Sequence, residues 1–381
     1  MDASQFTDPT AGRLVPTIKG QLAFVPAPLP PKIDMGPIAV TFGAAMQALG
    51  ELKGACRRLQ NPYVLVRPLQ RREALTSSAM EGTFSSEDNL VLVGIVKNQK
   101  PDFAAIEVRN YLDALHNAII SLPSLPISHR TIKDAHRTLM SGVGSQRGSH
   151  RRPGEYKQAQ NWIDHREIAD SRFIPPPPSE TQECMDQLEA YLNREDQTLP
   201  SPLVDLALVH YQFETIHPFD DGNGRLGRML ISLMSMNSGL LDMPVLYMSP
   251  SIERDKDKYI DLMFNVSTTG DWASWLEFFF EKVCESATDT ISLIDRLIDL
   301  NLEYRELVSN SVRSANALQI VDFVFESPAL AVSDVKVRTG LSDRASRNLM
   351  DKLVELEILV EIPELYPKIF LAPRILTIAS D

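Results

Sequence analysis

The stretch "SPLVDLALVHYQFETIHPFDDGNGRLGRMLISL", residues 201–233, decides the local fold. Ser201 followed by Pro202 is a favourable N-cap and first-turn pair, so a helix is predicted to begin there. This helix is predicted to end near Ile216, because Pro218 disfavours a helical conformation in the residue before it. The residues that follow, rich in glycine and aspartate, are therefore predicted to form a loop.

The loop leads into a second predicted helix, which begins at Asn223 or Gly224 and carries a buried apolar stripe. Its first turn exposes backbone N–H groups at the positive end of the helix, where an anion is favoured. Gly222 and Gly224 let a ligand approach the backbone, because no Cβ stands in the way. Asn223 adds an amide donor, and Arg225 and Arg228 can together hold a polyphosphate through forked donors. The pattern predicts a site for a phosphate compound.

The loop also contains acidic and basic side chains that suit chemistry on that phosphate. Asp221 is predicted to hold a Mg²⁺ ion that bridges phosphate oxygens, because a carboxylate in an anion site needs an intervening cation. Asp220 either stays solvated or caps the turn. An unperturbed histidine has a pKa of about 6.5, so the imidazole of His217 suits acceptance of a hydroxyl proton near neutral pH. A glycine loop or a histidine before proline is often purely structural, so the combination carries the prediction of attack on a nucleotide phosphorus.

The whole chain has the composition of an ordinary globular protein, with 381 residues, 44% hydrophobic and 23% charged. Its length allows two or three domains. The net charge of −12 argues against general attraction to nucleic acid or an anionic membrane, so a nucleotide needs a local positive site. Cys56, Cys184 and Cys284 lack the number and spacing of a disulfide framework or zinc site. With no apolar segment typical of a signal peptide or membrane span, a cytoplasmic protein is predicted.

Outside the central stretch, helical patterns dominate, with two exceptions in the first half of the chain. The proline-rich segment 16–31 is predicted to be an extended arm laid on the surface, docked by its apolar residues. The region from Gly142 to Pro178 is predicted to contain a short hairpin. One arm would carry Trp162 and Ile163, and the other Phe173 and Ile174.

The character of the chain changes again after about residue 311. Three helical patterns, at 315–325, 333–339 and 342–356, precede "ILVEIPELYPKIFLA", which is predicted to form two strands around a turn. Three short helices followed by a hairpin are typical of a winged-helix domain.

The central string resembles the core motif of the Fic-domain family, HxFx(D/E)GNGRxxR, at every specified position. The resemblance extends to "ALVHYQFETIHPF", "RRPGEYKQAQNWI" and "FIPPPP". It implies a mainly α fold, with a Fic-type helical core, a short β-hairpin flap and a C-terminal winged helix-turn-helix domain. The predicted divisions are an N-terminal arm and helical region (1–122), a catalytic core (123–305) with its flap at about 161–178, and a winged-helix domain (311–381).

The resemblance implies transfer of AMP from ATP to a Tyr, Thr or Ser hydroxyl of a target protein or of the protein itself, releasing pyrophosphate. His217 would be the base, and Asp221 would hold Mg²⁺ between the α- and β-phosphates. The motif leaves open a donor other than ATP, because its cradle binds phosphates and not the base. The nucleotide-binding residues implied by the resemblance are Asp221, Gly222, Asn223, Gly224, Arg225, Gly227 and Arg228.

Two further parts of the sequence, a hairpin and a pair of residues after the motif, match the same family. The hairpin from Asn161 to Phe173 resembles the flap that holds a target's main chain by strand addition. An ordinary surface hairpin is the alternative. Tyr259 and Asn265 match positions on the adenine side of the pocket, with a core or helix-surface role as the alternative.

A carboxylate at residue 81 stands in an unfavourable place. A helix predicted at about 68–82 stops at Gly82, so Glu81 lies at the negative end of that helix. Ser77, Glu81 and Gly82 match the family's inhibitory motif. The resemblance implies that Glu81 pairs with Arg228 and occupies the cation that the γ-phosphate of ATP needs. It also leaves open that Glu81 positions water to remove AMP from the target. A surface glutamate is the alternative.

A rival hypothesis makes the protein a DNA-binding regulator that uses the winged helix, with the Fic core as a nucleotide sensor. The candidate recognition helix, "SDRASRNLMDKLVELEIL", intersperses its basic residues with four acidic ones, which is a poor electrostatic match to a duplex. Such tails also serve as docking or dimerisation modules, and this role, with a homodimer as one form of it, is favoured over DNA binding.

Overall fold

The computed structural model describes residues 1–57, 62–93, 102–143, 152–163, 167–195, 199–312, 314–363 and 365–380, and for 62–65 it describes the backbone alone. Helices dominate these ranges, as the sequence predicts. The helices are α1 (Ala39–Arg57), α2 (Pro62–Ala79), α3 (Glu87–Leu92), α4 (Phe103–Ser121), α5 (His129–Leu139), α6 (Pro178–Leu192), α7 (Pro202–Ile216), α8 (Asn223–Asn237), α9 (Ser249–Arg254), α10 (Lys256–Thr269), α11 (Trp272–Ser311), α12 (Ala315–Glu326), α13 (Val332–Thr339), α14 (Asp343–Glu355) and α15 (Pro373–Ser380).

The strands of the described residues form two small antiparallel sheets. The strands are β1 (Gly12–Pro16), β2 (Leu22–Pro26), β3 (Ala329–Ala331), β4 (Val360–Ile362) and β5 (Ile369–Leu371). β1 pairs with β2, whereas the other sheet has the order β3-β5-β4. None of the helices in the described ranges combines the length and apolar character that a membrane crossing requires.

The chain divides into two compact units, and each is built from two stretches of sequence. The first unit contains residues 1–53 and 110–287, and the second contains 54–109 and 288–381. The first holds β1, β2 and α5 to α10, and the second holds α2, α3, α12 to α15 and the three-stranded sheet. The domain ranges inferred from the sequence stay a prediction.

Helices α7 and α8 form the centre of the first unit. The Ser201 hydroxyl accepts a hydrogen bond from the Leu203 N–H at 3.2 Å, so the predicted N-cap is confirmed. Both predicted boundaries around the loop are also confirmed, because α7 ends at Ile216 and α8 begins at Asn223. Nearly every residue of the two helices is buried, on all faces. The sequence predicts one buried stripe on α8, and this prediction is wrong because the helix is buried on every face.

The N-terminal segment is a hairpin, not an arm on the surface. Its extended conformation is as predicted, but Ala23, Phe24 and Val25 of β2 are buried. The Phe24 N–H also donates to the Ile174 carbonyl at 2.9 Å, which joins β2 to the chain before α6. Apolar side chains of β2 pack into the unit because burial of each contributes about 1.5–3 kcal/mol.

The predicted hairpin near residue 170 is present as one antiparallel bridge between Ile163 and Phe173. The Ile163 N–H donates to the Phe173 carbonyl at 3.2 Å, and the Ser171 hydroxyl bonds the carbonyls of both residues. Residues 164–166, which join the arms, lie outside the described residues. Its second arm ends before Pro178, where α6 begins.

In the second unit, α2 begins six residues earlier than predicted. The helix starts at Pro62, and Pro68 lies inside it rather than at its first turn. A proline within a helix removes one backbone hydrogen bond and normally marks a start, which misled the prediction. The predicted stop at Gly82 is confirmed by its φ of 78° and by bonds from Gly82 N–H to Ala79 and from Thr83 N–H to Ser78.

The C-terminal region contains the three helices and the hairpin that the sequence predicts. Helices α12, α13 and α14 precede β4 and β5, and residue 364 between those strands lies outside the described residues. The sequence missed β3 and α15. β3 has only three residues and pairs with β5 about 40 residues later, so no local pattern reveals it. Within this unit, α12 and α15 pack against α2.

Candidate functional site

His217, the predicted base, terminates α7 in a left-handed conformation with φ 48° and ψ 59°. This conformation is uncommon for a residue other than glycine and costs on the order of 1–3 kcal/mol. The imidazole Nδ1 lies 3.2 Å from the Glu214 carbonyl oxygen. A carbonyl oxygen only accepts hydrogen bonds, so Nδ1 carries the hydrogen. The neutral ring then has its lone pair on Nε2, where it can accept a proton.

Two side chains that the sequence did not single out hold the loop beside His217. The Lys157 amine donates to the carbonyls of Ile216 at 3.1 Å and of His217 at 3.0 Å. The Asn161 amide donates to the carbonyls of His217 at 2.9 Å and of Phe219 at 3.0 Å. Both residues fall in the segment "RRPGEYKQAQNWI", whose resemblance to the family gave no role to Lys157 and placed Asn161 at the start of the flap hairpin.

Phe219 and Asn223 close the loop on itself. The Phe219 N–H donates to Asn223 Oδ1 at 2.9 Å, and Asn223 Nδ2 donates to the Phe219 carbonyl at 2.8 Å. The Phe219 ring is fully buried. The Asn223 side chain, predicted as an amide donor to phosphate, bonds the loop instead. A contact from Asn223 to an α-phosphate would therefore use its backbone N–H at the start of α8.

His136 of α5 is a further residue that the sequence gave no reason to select. Its ring stacks on Phe219 with 3.8 Å between centroids and 10° between planes. Its Nδ1 accepts from the Gly154 N–H at 2.9 Å, and its Nε2 donates to the Asp221 carbonyl at 2.9 Å. Burial lowers the pKa of His136 to about 4, so the ring stays neutral in this tautomer near neutral pH.

This pKa makes the stability of the protein depend on pH. The folded His136 stays neutral down to about pH 4, whereas the unfolded one protonates near 6.5, so the unfolded state binds more protons between these values. We expect the free energy of unfolding to fall by up to about 3 kcal/mol as the pH drops across this window. His136→Asn should flatten that slope in urea unfolding. His116→Asn, on an exposed residue, should keep it, and equal slopes in both variants would contradict the assignment.

The start of α8, where the sequence predicts an anion site, begins with a left-handed glycine. Gly222 adopts φ 79°, and a Cβ there would lie 3.1 Å from Met140 Sδ. Its N–H donates to Asp221 Oδ1 at 2.7 Å, so the predicted metal ligand lies at the N-terminus of the helix. The Arg225 side chain is completely buried, with its Nη2 3.9 Å from Asp221 Oδ1. Arg228 is also buried, at 3% exposure. The loop and the first turn of α8 thus bring Asp221 close to the buried Arg225 guanidinium.

Gly227, predicted among the nucleotide-binding residues, lies where α8 faces α7. A Cβ on Gly227 would lie 2.1 Å from Glu214 Oε1 and 3.2 Å from Phe213 Cδ1. Its carbonyl accepts a hydrogen bond from His210 Nδ1 at 3.2 Å. Close packing of the two helices requires glycine at this position, and contact with a nucleotide stays a prediction.

Tyr259 and Asn265 both lie on α10. Tyr259 is buried among His210, Trp275 and Phe278, and its hydroxyl bonds His210 Nε2 at 2.9 Å. Because His210 Nδ1 donates to a carbonyl, its Nε2 accepts from Tyr259. Asn265 is half-buried, and its carbonyl accepts from the Thr269 hydroxyl at 2.9 Å. Their predicted place beside an adenine stays a prediction.

The residues of the predicted inhibitory motif lie at the end of α2. Ser77 is completely buried in the last turn. Glu81 follows the helix and donates its N–H to the Ser78 carbonyl at 3.1 Å. Glu81 therefore comes directly after the C-terminal end of α2, as the sequence predicts.

Comparisons with known proteins agree with this geometry. The sequence model described as "Fic/DOC family" matches residues 126–235, and that described as "Fic/DOC family N-terminal" matches residues 41–120. The protein adenylyltransferase Fic of Culex quinquefasciatus is 29% identical over 152 residues, which are 40% of this chain and 27% of that protein. That of Drosophila grimshawi is 31% identical over 30% of this chain and 21% of its own length. The chain thus matches about a quarter of the length of these relatives.

Solved structures share the fold over more of the chain. A Fic family protein from Desulfovibrio desulfuricans G20 superposes with a TM-score of 0.57 at 19% identity, over 90% of this chain and 98% of that one. Fic-1 from C. elegans gives a TM-score of 0.51 at 20% identity, over 69% of this chain and 74% of that one. The two sequence matches cover residues 41–120 and 126–235, and the second of them contains the complete loop motif at the end of α7, so this part of the chain is a Fic/DOC family domain with its N-terminal region.

Proposed function

We propose that the protein is an adenylyltransferase that moves AMP from ATP to a hydroxyl group of a target protein or of itself. The observation that carries the proposal is the orientation of His217. Its Nδ1–H is engaged by the Glu214 carbonyl, so the lone pair that can take a proton lies on Nε2, one loop away from the proposed anion site of α8. The relatives named protein adenylyltransferase Fic support the same class of reaction.

In the proposed reaction, His217 Nε2 removes the proton from a Tyr, Thr or Ser hydroxyl of the target as its oxygen attacks the α-phosphorus. A new bond forms between that oxygen and phosphorus. The bond from the α-phosphorus to its bridging oxygen breaks, and the electron pair leaves with pyrophosphate. The backbone N–H groups of Gly222, Asn223 and Gly224 would stabilise charge on the α-phosphate. The catalytic effect would come from positioning and charge stabilisation.

The buried arginines would bind the remaining phosphates. Arg225 and Arg228 are one turn apart on α8, and both are almost wholly removed from water. A buried guanidinium attracts an anion more strongly than an exposed one, because the surrounding medium screens the charge less. The triphosphate would supply up to four negative charges to these two cations, and so needs further positive charge.

Asp221 fits a Mg²⁺ ion that would supply this charge. Within the described ranges, no three His, Cys, Asp or Glu side chains lie close enough together to hold a metal ion by themselves. Mg²⁺ commonly binds one or two carboxylates and completes its shell with water and substrate phosphates. Asp221, directly before the N-terminus of α8, provides such a carboxylate. When bound, the ion would neutralise charge on the α- and β-phosphates, and it would be held only together with the nucleotide.

We further propose that Glu81 inhibits the enzyme by pairing with Arg228. The match of Ser77, Glu81 and Gly82 to the family's inhibitory motif supports this. The unfavourable place of the Glu81 carboxylate at the end of α2 supports it too, because such a charge gains from a cationic partner. ATP could then bind only with its γ-phosphate displaced from Arg228, in a pose unsuited to in-line attack.

Intact-mass spectrometry tests the donor and the transferred group. The Glu81→Gly protein, with Mg²⁺, is incubated separately with ATP, GTP, CTP and UTP. We expect ATP to give a mass gain of one AMP group, and the same incubation without Mg²⁺ to give none. A gain from another nucleotide alone, or a gain of a single phosphate, would replace the proposed reaction with a different transfer at the same site.

A further inference from the structure

Lys157 is a buried lysine that the proposed chemistry does not use. Its side chain is 3% exposed, and its Nζ lies within hydrogen-bond distance of three oxygens: the carbonyls of Ile216 and His217, and Asn161 Oδ1 at 2.8 Å. Its backbone N–H also donates to the Pro218 carbonyl at 2.8 Å. Thus Lys157 contacts three consecutive residues of the loop at the end of α7.

The charged form of Lys157 fits this environment. Burial lowers the pKa of the Lys157 amine to about 7, which by itself would favour the neutral form above that pH. Three oxygen acceptors surround Nζ, and only an ammonium group has three hydrogens to give them. The carbonyls of Ile216 and His217 also lie at the C-terminus of α7, where a cation is favoured.

Asn161, four residues after Lys157, bonds the same loop at the end of α7. Its Nδ2 donates to the His217 carbonyl at 2.9 Å and to the Phe219 carbonyl at 3.0 Å, while its Oδ1 accepts from Lys157. The His217 carbonyl therefore receives a hydrogen bond from both side chains. A carbonyl oxygen has two lone pairs, so the pair of donors satisfies it completely.

These bonds bear on the strained backbone of His217. A left-handed conformation at a histidine persists only when its surroundings determine it. The carbonyl of His217 is fixed by donors from Lys157 and Asn161, and the carbonyl of Ile216 before it by a further bond from Lys157. Without them, His217 could relax toward an ordinary conformation, and its imidazole would turn away from its present direction.

We propose that Lys157 and Asn161 are a positioning pair that holds the His217 backbone in the left-handed conformation required for its imidazole to act as a base. The proposal rests on the proposed function for its effect on rate. The pair also lies directly before Trp162 and Ile163, the first arm of the hairpin. The same two side chains thus connect the base of that hairpin to the loop that carries His217.

The kinetic test compares variants of the full chain in the Glu81→Gly background. Lys157→Met removes the three donors with little change in length, and Lys282→Met is the matched control. Lys282 is also a buried lysine, with a 4% exposed side chain held by Asp255 and Glu285, away from the loop. We expect Lys157→Met to lower kcat about 100-fold while the KM for ATP changes less than about threefold, because the misplaced group is the base and not the anion site.

Two further variants keep the test decisive if Lys157→Met does not fold. Asn161→Ala should lower kcat about tenfold with the KM for ATP preserved. Lys157→Arg, which keeps the charge and donors, should recover part of the kcat lost in Lys157→Met. Equal loss in Lys157→Met and Lys282→Met, or a loss confined to KM, would overturn the proposal.

A measurement without ATP separates this proposal from the proposed function. Histidine resonances are recorded by NMR on protein with isotope-labelled histidine, and His217 is assigned by its loss in His217→Asn. We expect the His217 signal to shift in Lys157→Met and Asn161→Ala, and to stay in place in Lys282→Met. An unchanged His217 signal in both variants overturns the positioning pair. If the shift occurs but no nucleotide is transferred by any variant, the pair stands and the proposed reaction fails.

Discussion

Replacing His217 is expected to lower the rate of AMP transfer by about a thousandfold, since general base catalysis contributes roughly 10²–10⁴-fold to such reactions. His217→Asn is the sharper variant. Asparagine tolerates the left-handed conformation that His217 adopts, so the loop should keep its shape while the proton acceptor is lost. His217→Ala should give a similar loss of activity, together with a looser loop. The measurement is incorporation of label from radioactive ATP in the Glu81→Gly background.

The control for this prediction is His116→Asn, which changes an exposed histidine of α4 and should leave the rate unaltered. ATP binding, measured by calorimetry, should be preserved in His217→Asn because the proposed phosphate contacts come from α8. A His217→Asn, Glu81→Gly variant that transfers AMP within about tenfold of Glu81→Gly alone would show that His217 is not the base.

Glu81→Gly is expected to raise AMP incorporation at least about tenfold. Without Glu81, the γ-phosphate of ATP could pair with Arg228 in place of the carboxylate. A gain of about 1.4 kcal/mol in the free energy of binding in the reactive pose corresponds to a factor of ten. Folding should not suffer, because Glu81 follows the last turn of α2 and its charge is unfavourable there. Labelling of the protein and of added lysate proteins, at fixed ATP and Mg²⁺, measures the effect.

Glu81→Gln distinguishes charge from shape in this prediction. It keeps the length of the side chain, so it should also raise incorporation if the carboxylate charge is what blocks Arg228. The double variant Glu81→Gly, His217→Asn should show no incorporation, which ties any gain to the same site. Equal labelling of the unchanged protein and Glu81→Gly would remove the inhibitory assignment.

The local parts of the fold could be predicted because their causes are local. Ser201 and Pro202 start α7, and Gly82 stops α2, each through a bond or conformation within a few residues. Pro68 misled the prediction for the opposite reason. Its local preference for a first turn is overridden in the folded chain, where the helix continues through it. Pairings such as β3 with β5 depend on residues far apart, and no local pattern records them.

In the candidate site too, local features could be predicted from the sequence, whereas contacts between distant residues could not. The motif located His217, Asp221 and the start of α8 in the sequence, and the structure brings them to one loop. The motif did not reveal that the Asn223 side chain bonds Phe219, or that His136 bonds Asp221 from 85 residues away. Nor did it select Lys157, since a lysine among polar residues looks exposed in a sequence. Burial and partners of a side chain are decided by the assembled fold.

Gly227 gives the site a property that belongs to helix packing. His217 directly follows the last residue of α7, and the proposed anion site is the first turn of α8, so the separation of the two helices sets the distance between the proposed proton acceptor and the phosphate. At Gly227 that separation is defined by the bare backbone of α8 against the side chain of Glu214. Because Gly227 has no side chain, α8 can approach α7 as closely as the two backbones allow. The alignment of base and phosphate in the proposed reaction therefore depends on the packing of these two helices as well as on the loop that joins them.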